Sequence, residues 1–372
     1  MINKRTDEYK LKVLTLENAS YIKKLLRNCS EKDIHYYPNY LKLFEEYTGM
    51  RCIYVFYGND KNYILVPYFE RRVNTRSSLD SEYVDLISPW YYGGPIHNIK
   101  DEKLRNRMFQ NFMRKLNEYC KKDKVISEFQ CLNPILGNYR LFRNNTNKYY
   151  YKKIVYIDLS KNIKTLVGQY SRKTRKAINK AKRNGLKFYQ SKNKECVSRF
   201  IKLYSEAMRR KKAEDFYHFN RKFFNNLFKL FRNEAKLFNV QHNGKIISSS
   251  LAIGKYGILQ DFLRGSSPKH FYLRPNDMMI DGIIKWAKSK GYKYFDLCGG
   301  LTPSPEDSLF KFKKSFSSTS VDLYLYKKIH DLEKYKELCK QLGRKEQDLR
   351  YEKASFFPEY VEGGRLDESG EN

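Results

Sequence analysis

No stretch of this 372-residue chain runs to 18 consecutive apolar residues, so no transmembrane helix is expected. The opening, MINKRTDEYK, lacks an apolar core segment, and no secretory signal is read there. No Cys-x-x-Cys occurs. The seven cysteines (Cys29, Cys52, Cys120, Cys131, Cys196, Cys298, Cys339) are scattered and odd in number. That excludes a disulfide framework or a zinc site and fits free thiols in a reducing cytoplasm; no metal is expected. Cys298 alone stands where a nucleophile could sit. No histidine lies near it in sequence, and burial at a strand end is the simpler reading. Alanine is scarce, and acid is in short supply: 41 Asp and Glu face 73 Lys and Arg, a net charge of +32. Such a surplus favours anionic partners, namely nucleic acid, nucleotide phosphates or an anionic membrane surface.

What is present is a globular chain. Apolar residues make up 41% and aromatic residues 16%, with 32 Tyr and 24 Phe, and the length allows two domains with real cores. The stretch that organises the rest is Tyr292–Phe316, YKYFDLCGGLTPSPEDSLFKFKKSF. It opens as a strand over Tyr292–Leu297, breaks at Gly299-Gly300 and crosses a Pro-containing loop. Order resumes at Leu309-Phe310-Lys311-Phe312-Lys313-Lys314. Paired glycines at a strand end open dihedrals closed to other residues and allow close approach.

Along the chain, Leu11–Leu16 reads as a strand, and Tyr21–Cys29 and Asn39–Tyr47 as helices, the second closed by Gly49. Arg51–Tyr57 and Tyr63–Arg71 form a hairpin on Gly58-Asn59-Asp60. Tyr83–Ile87 is a strand, Lys100–Lys121 a helix with Leu104, Met108, Phe112 and Leu116 on one stripe, and Val125–Leu132 a strand. After a basic, Asn-rich connector (Arg143–Lys148) the order starts again: strand Lys153–Leu159, one helix Ile163–Asn184 capped by Gly185, strand Leu186–Gln190, and helices Glu195–Lys211 and Asn220–Phe231. A hairpin on Asn243-Gly244 joins Lys236–His242 to Ile246–Ile253, and Gly257–Leu263 is a strand. Pro275–Lys290 is a helix with Pro in its first turn and Gly291 beyond its end. Val321–Ile329 and Asp331–Leu342 are the last strand and helix, and the Glu- and Gly-rich tail after Pro358 is expected to fray. The repeated order predicts two α/β domains with mixed sheets, 1–150 and 151–345, followed by a tail, 346–372.

Hairpin, strand, loop, helix, strand is the element order of the GNAT (Gcn5-related acetyltransferase) fold. Two copies in tandem resemble the FemABX branch, aminoacyl transferases of peptidoglycan cross-bridges. Ile126-Ser127-Glu128-Phe129 before Asn133-Pro134, the SPWYYGGP segment, Met208-x-Arg210, Trp286-Ala287 before Gly291, and FDLCGG…LFKFKKSF are similar to stretches of that branch, over roughly residues 10–330. The resemblance implies two tandem GNAT-like domains packed around a shared cleft. It also implies an acyl, most simply aminoacyl, transfer to an amine of a nucleotide- or lipid-linked cell-envelope precursor. Lys313 then faces the reacting carbonyl, with Lys311 and Lys314 competing for that place, Arg210 holds acceptor phosphates, and Tyr91, Tyr92, Gly93, Gly94 and Tyr217 line the acceptor. Where the glycyl and alanyl transferases carry a carboxylate past Gly-Pro, this chain has His97-Asn98.

Acyl transfer to an amine needs an oxyanion stabiliser and a proton acceptor. Asp296 is the candidate carboxylate, with a loop-capping role as its alternative, and Gly299, Gly300 and Lys311 complete the candidate loop. Lys161–Lys194 holds twelve Lys or Arg and no acid. Its Arg172, Arg175 and Lys176 form either a solvated basic face or an anion-binding one, suited to a tRNA acceptor stem or to peripheral contact with an anionic membrane. No cofactor is expected to be tightly bound. An acyl-CoA donor calls for a Gly-rich turn before the helix at Pro275. Arg264-Gly265-Ser266-Ser267-Pro268-Lys269-His270 stands there instead, which favours aminoacyl-tRNA as co-substrate. The alternatives are acyl-CoA-dependent N-acetylation of a surface-polysaccharide amino sugar and a non-enzymatic basic nucleic-acid-binding protein. No helix-turn-helix or zinc signature supports the latter.

Overall fold

The computed structural model describes residues 9–73, 82–345, 349 and 357–361. The chain divides into two compact units, one made of Met1–Tyr151 with Leu323–Glu368 and the other of Lys152–Asp322.

In the first unit, β1 (Lys10–Thr15), α1 (Ala19–Asn28), α2 (Pro38–Thr48), β2 (Arg51–Gly58), β3 (Tyr63–Arg72), β4 (Val84–Ile87), the short β5 (Ile96–His97), α3 (Glu102–Lys122) and β6 (Val125–Leu132) follow in order. The sheet runs β1-β2-β3-β4-β6, with β5 on β3. β2 and β3 are buried on both faces because helices cover both. Ile53, Val55, Ile64 and Val66 pack with Met108, Phe112 and Leu116 of α3. On the other face Tyr54 donates to Tyr36 O and Tyr63 to Leu25 O.

The chain leaves this unit through β7 (Lys148–Asp158). The second unit continues with α4 (Ile163–Gly168), α5 (Arg172–Arg183), β8 (Lys187–Gln190), α6 (Lys194–Arg210), α7 (Arg221–Leu230), β9 (Ala235–His242), β10 (Lys245–Lys255), β11 (Ile258–Ser266), α8 (Pro275–Ser289), β12 (Tyr294–Asp296) and α9 (Ser308–Lys314). Its sheet order is β7-β12-β11-β10-β9-β8. Within it β11 and β12 pair in parallel. α5 and α8 supply Ile178, Ala181, Met279, Ile283 and Ile284 to the core on one face. α6 crosses the other so closely that a Cβ on Gly265 would lie 2.4 Å from the Leu203 carbonyl carbon. β13 (Ser320–Ile329) and α10 (Leu332–Gln341) end the regular structure.

Four expectations are corrected. Ile163–Asn184 is two helices, because Ser171 accepts from Thr174 N and starts a new one after Tyr170 turns into the core. Residues 323–345 join the first unit rather than the second: β13 pairs with β6, Tyr324 opposite Leu132, and Tyr335, Leu338 and Cys339 of α10 pack with Val73 and Ile126. The Lys-rich run after Asp307 is a helix, α9, and not a strand-end loop. Finally, Pro358–Val361 is not frayed. Glu359 and Tyr360 are buried, and Tyr360 donates to Asp85. The rest of the tail, 362–372, lies outside the described residues, as does the start, 1–8.

Candidate active site

The second unit contains a parting of strands. β11 and β12 stay paired through Gln260 and Asp296; β12 ends there, while β11 runs on to Ser266 against β10 alone. The β10–β11 register slips between Leu251 and Ala252, leaving Phe262 as an extra residue on β11. A crevice beyond the carboxyl ends of parallel strands is where open α/β sheets take their ligands.

The turn after β12 closes that end. Asp296, buried, accepts from Cys298 N (2.7 Å) and lies 3.7 Å from its thiol. Cys298 takes the left-handed conformation at φ 59°, and the carboxylate braces it. This is the loop-capping role of Asp296. The positive φ therefore falls on Cys298; Gly299 and Gly300 serve close approach instead. A Cβ on Gly300 would lie 2.2 Å from Asp307 Oδ1, and one on Gly299 would press on the Lys152 stem at 3.1 Å.

Two ammonium groups meet the glycine carbonyls. Lys313 Nζ donates to Gly299 O at 2.5 Å, and buried Lys152 donates to Gly300 O at 3.3 Å. Lys152 was not singled out in the sequence. Its place in a Tyr- and Lys-rich run carries no signal, because burial there depends on the distant turn. Of the three competing lysines, Lys311 pairs with Glu306 on the exposed side, and Lys314 donates to Ser318 O at 2.6 Å. Lys313 is the one on the turn. It is carried there by α9, which Asp307 starts by accepting from Phe310 N at 2.7 Å. Burial pulls the Asp307 carboxyl up, but hydrogen bonds from the backbone of Phe310, Thr302, Leu309 and Leu301 together hold it below its ordinary range.

Cations gather on the same unit. Lys211 is exposed as a residue, yet its ammonium is crowded by protein. That desolvation, followed by repulsion from Lys313, Arg210 and Arg264, lowers its pKa. Arg210 is exposed and lies over the Phe271 ring, 5.7 Å from its centre. Tyr217 is half-buried, its carbonyl accepting from Tyr204 OH at 2.8 Å. On α5, Arg172 and Lys176 are exposed, and Arg175 turns back onto the Tyr170 carbonyl. None of the three is ion-paired among the described residues, so the face is basic and without a compensating acid.

In the first unit, the Trp90–Pro95 turn is held from below. Tyr36 OH donates to Gly93 O (2.6 Å), Tyr40 OH donates to Trp90 O (2.8 Å), and Asn138 also reaches Gly93 O. Gly94 has φ +85°, where a side chain would meet Asn138 Nδ2 at 2.7 Å. Tyr92 is buried and Tyr91 half-exposed, both against His35, which Asp33 fixes at 2.8 Å. Beyond the turn, His97 accepts from Ile99 N, and burial and then Arg105 push its pKa down to about 4. It is neutral at pH 7, so this position carries no negative charge.

The interval before α8 is no phosphate cradle. Gly265 admits α6, Pro268–Leu273 winds as a 3-10 turn, and Asp277 lies buried in the first turn of α8. Burial raises the Asp277 pKa, though Arg274 bonds to it. Among the described residues no His, Cys, Asp and Glu cluster suits a metal, all seven cysteines are free and buried, and no helix is long and apolar enough to cross a membrane. An open surface cavity of about 910 Å³ lies on the first unit between Thr48–Arg51, Glu70–Arg72 and Tyr119, away from the residues above.

Comparison with known proteins matches residues 168–313 to the acetyltransferase (GNAT) domain. The UDP-N-acetylmuramoylpentapeptide-lysine N(6)-alanyltransferase of Weissella viridescens is 27% identical over 190 residues, 50% of this chain and 55% of that protein. The chain thus spans about half the length of that curated relative. Among solved structures, FemX superposes with a TM-score of 0.63 at 13% identity, over 90% of this chain and all of that one. A tandem GNAT protein from the clavulanic acid biosynthesis pathway, solved without AcCoA, gives 0.50 at 6% identity, over 87% and 99%. These two likenesses are of fold, and they agree with the tandem mixed-sheet architecture.

Proposed function

We propose that this chain, a FemABX-like member of the GNAT acyltransferases, moves an aminoacyl group from aminoacyl-tRNA to an amine of a nucleotide- or lipid-linked cell-envelope precursor. The observation that carries the reading is Lys313, held 2.5 Å from the Gly299 carbonyl where β11 and β12 part. The acceptor amine attacks the ester carbonyl carbon, a C–N bond forms, and charge builds on the carbonyl oxygen. Lys313 swings from Gly299 to that oxygen and stabilises it; one such donor is worth about 10²–10³ in rate. Collapse breaks the ester C–O bond, and the proton lost by the amine ends on the released ribose hydroxyl. Asp296 is engaged in its own turn, so it positions Gly299 and is not assigned the proton. Arg210 supplies a guanidinium for phosphate, and the Tyr91–Gly94 turn a rigid aromatic wall for the acceptor.

The start of α8 supports this choice of donor. An acyl-CoA pyrophosphate requires bare amides at a helix N-terminus. Here a buried acid fills the first turn and the preceding glycine is closed by α6. Thermal shift and transfer assays with charged tRNA and with acetyl-CoA test this. Stabilisation and product with charged tRNA alone are expected; product with acetyl-CoA alone refutes the donor assignment.

A further inference from the structure

The acid-free stretch Lys161–Lys194, with its twelve Lys or Arg, folds largely into α4 and α5. Thr174, Ala177, Ile178 and Ala181 recur at helical spacing on α5 and are buried, so one stripe pins the helix to the core. Arg172, Lys173, Lys176, Lys180, Lys182 and Arg183 occupy the rest of its circumference, and all six are exposed. Among the described residues none of the six is ion-paired with a carboxylate. Six cations on a helix of 12 residues, about 18 Å long, repel one another unless an anionic surface covers them. Arg175 ties α5 to the end of α4 by donating to Gly168 O at 3.4 Å and to the Tyr170 carbonyl. At the other end of α4, Ile163 is 42% exposed, one of few large apolar side chains that face water among the described residues. It stands between Lys161 and Lys164, and its place is fixed by Asn162, which starts the helix by accepting from Thr165 N at 2.9 Å.

We infer that α4 and α5 dock on an anionic phospholipid bilayer, with the α5 cations on its headgroups and Ile163 at the acyl boundary. A cluster of Lys and Arg on one amphipathic helix is what an anionic leaflet attracts, each cation near the surface raising affinity about fivefold. An apolar side chain set among cations adds the second signal that firm but reversible membrane binding calls for. Nucleic acid fits this surface less well. Tyr170 is the only aromatic residue between 161 and 187, and it is buried, so no ring is offered to a single strand. An RNA duplex gains nothing from Ile163, and its major groove is too narrow to admit a helix. Docking extends the proposed transfer by favouring a lipid-linked acceptor over a nucleotide-linked one, and it rests on that reading for this consequence alone.

The test is co-sedimentation of the full chain with vesicles of phosphatidylglycerol and phosphatidylcholine in equal parts, beside vesicles of phosphatidylcholine alone. The wild type is expected to bind the first and not the second. Joint replacement of Lys173, Lys180, Lys182 and Arg183 by Gln should weaken binding at least about a hundredfold, and Ile163→Ser about 3- to 10-fold. Ile163→Trp should keep binding, and its emission should shift to the blue when phosphatidylglycerol vesicles are added. Absence of binding by the wild type, equal binding to phosphatidylcholine alone, or unchanged affinity in the joint variant overturns the docking. So does a joint variant that loses an RNA hairpin while it keeps the vesicles, which would give the surface to nucleic acid. The two readings fail separately. Vesicle binding that needs these cations without any transfer sinks the reaction and leaves the docking. Transfer to a lipid-linked acceptor in vesicles that is equally fast in the joint variant sinks the docking and leaves the reaction.

Discussion

Replacing His330 by Leu should destabilise the first unit severely, and in a pH-dependent way. Glu128 is fully buried; it accepts from Tyr68 OH at 2.6 Å and from Gln130, and His330 Nε2 lies 3.1 Å from its second oxygen. The other ring nitrogen, Nδ1, lies 3.2 Å from Asn117 Oδ1, an atom that also accepts from Lys328 Nζ at 3.0 Å. Nε2 therefore faces a carboxylate oxygen and Nδ1 an amide oxygen. Burial alone would raise the Glu128 pKa, but His330, Tyr68 and Gln130 outweigh it and hold it below its usual value. A lone carboxylate left in that place costs about 3–5 kcal/mol. For a unit of this size that lowers Tm by roughly 6–20 °C. The sign with pH follows. In the wild type the depressed pKa gives stability that is complete above the unfolded value of about 4.3 and lost as pH falls below it. In the variant the folded pKa is raised instead, so Glu128 takes a proton on folding and the penalty shrinks as pH drops from 7 towards 4. Thermal unfolding followed by circular dichroism at pH 7, 5.5 and 4 measures both. A gap under about 2 °C at pH 7, or one that widens in acid, refutes the reasoning.

Three further substitutions probe the turn and its neighbours. Gly300→Ala puts a methyl 2.2 Å from Asp307 Oδ1, so the cap of α9 is lost at about 1 kcal/mol and Lys313 shifts. Transfer should fall at least tenfold (about 1.4 kcal/mol of barrier) with Tm lowered by only about 2–4 °C; full activity contradicts the packing. Cys298→Ala should keep transfer within about threefold, below 1 kcal/mol, because the thiol is buried and forms no acyl intermediate; abolished turnover would restore it as a nucleophile. Ser171→Ala should cost about 1 kcal/mol in urea unfolding by removing the cap that starts α5, and no loss would mean the break after Tyr170 has another cause.

Much of the fold was legible because its signals are local. Gly58-Asn59-Asp60 and Asn243-Gly244 mark both hairpins, Gly49 ends α2 at φ 74°, and Pro275 opens α8. What escaped depends on distant partners. Ile163–Asn184 keeps a helical apolar period across Tyr170, and only the Tyr170 hydroxyl reaching Asp281 shows why the chain turns there. LFKFKK alternates like a strand, and the signal for a helix was Asp307, three residues before Phe310. β13 belongs with β6, and Tyr360 with Asp85, through contacts made across long stretches of chain. At the site, the Lys at 313 and the glycine pair were readable as a motif. Which lysine turns inward was not, since that depends on Glu306 and Ser318 engaging the other two. Lys152 was silent for the same reason.

The most direct test of Lys313 is steady-state transfer from charged tRNA to an envelope-precursor amine, comparing Lys313→Ala with Lys311→Ala and Lys314→Ala. The geometry predicts that Lys313→Ala lowers kcat about 10²- to 10³-fold with KM for the acceptor nearly unchanged, while the other two stay within about threefold of wild type. Equal losses in all three, or a Lys313→Ala protein that turns over normally, would contradict the assignment.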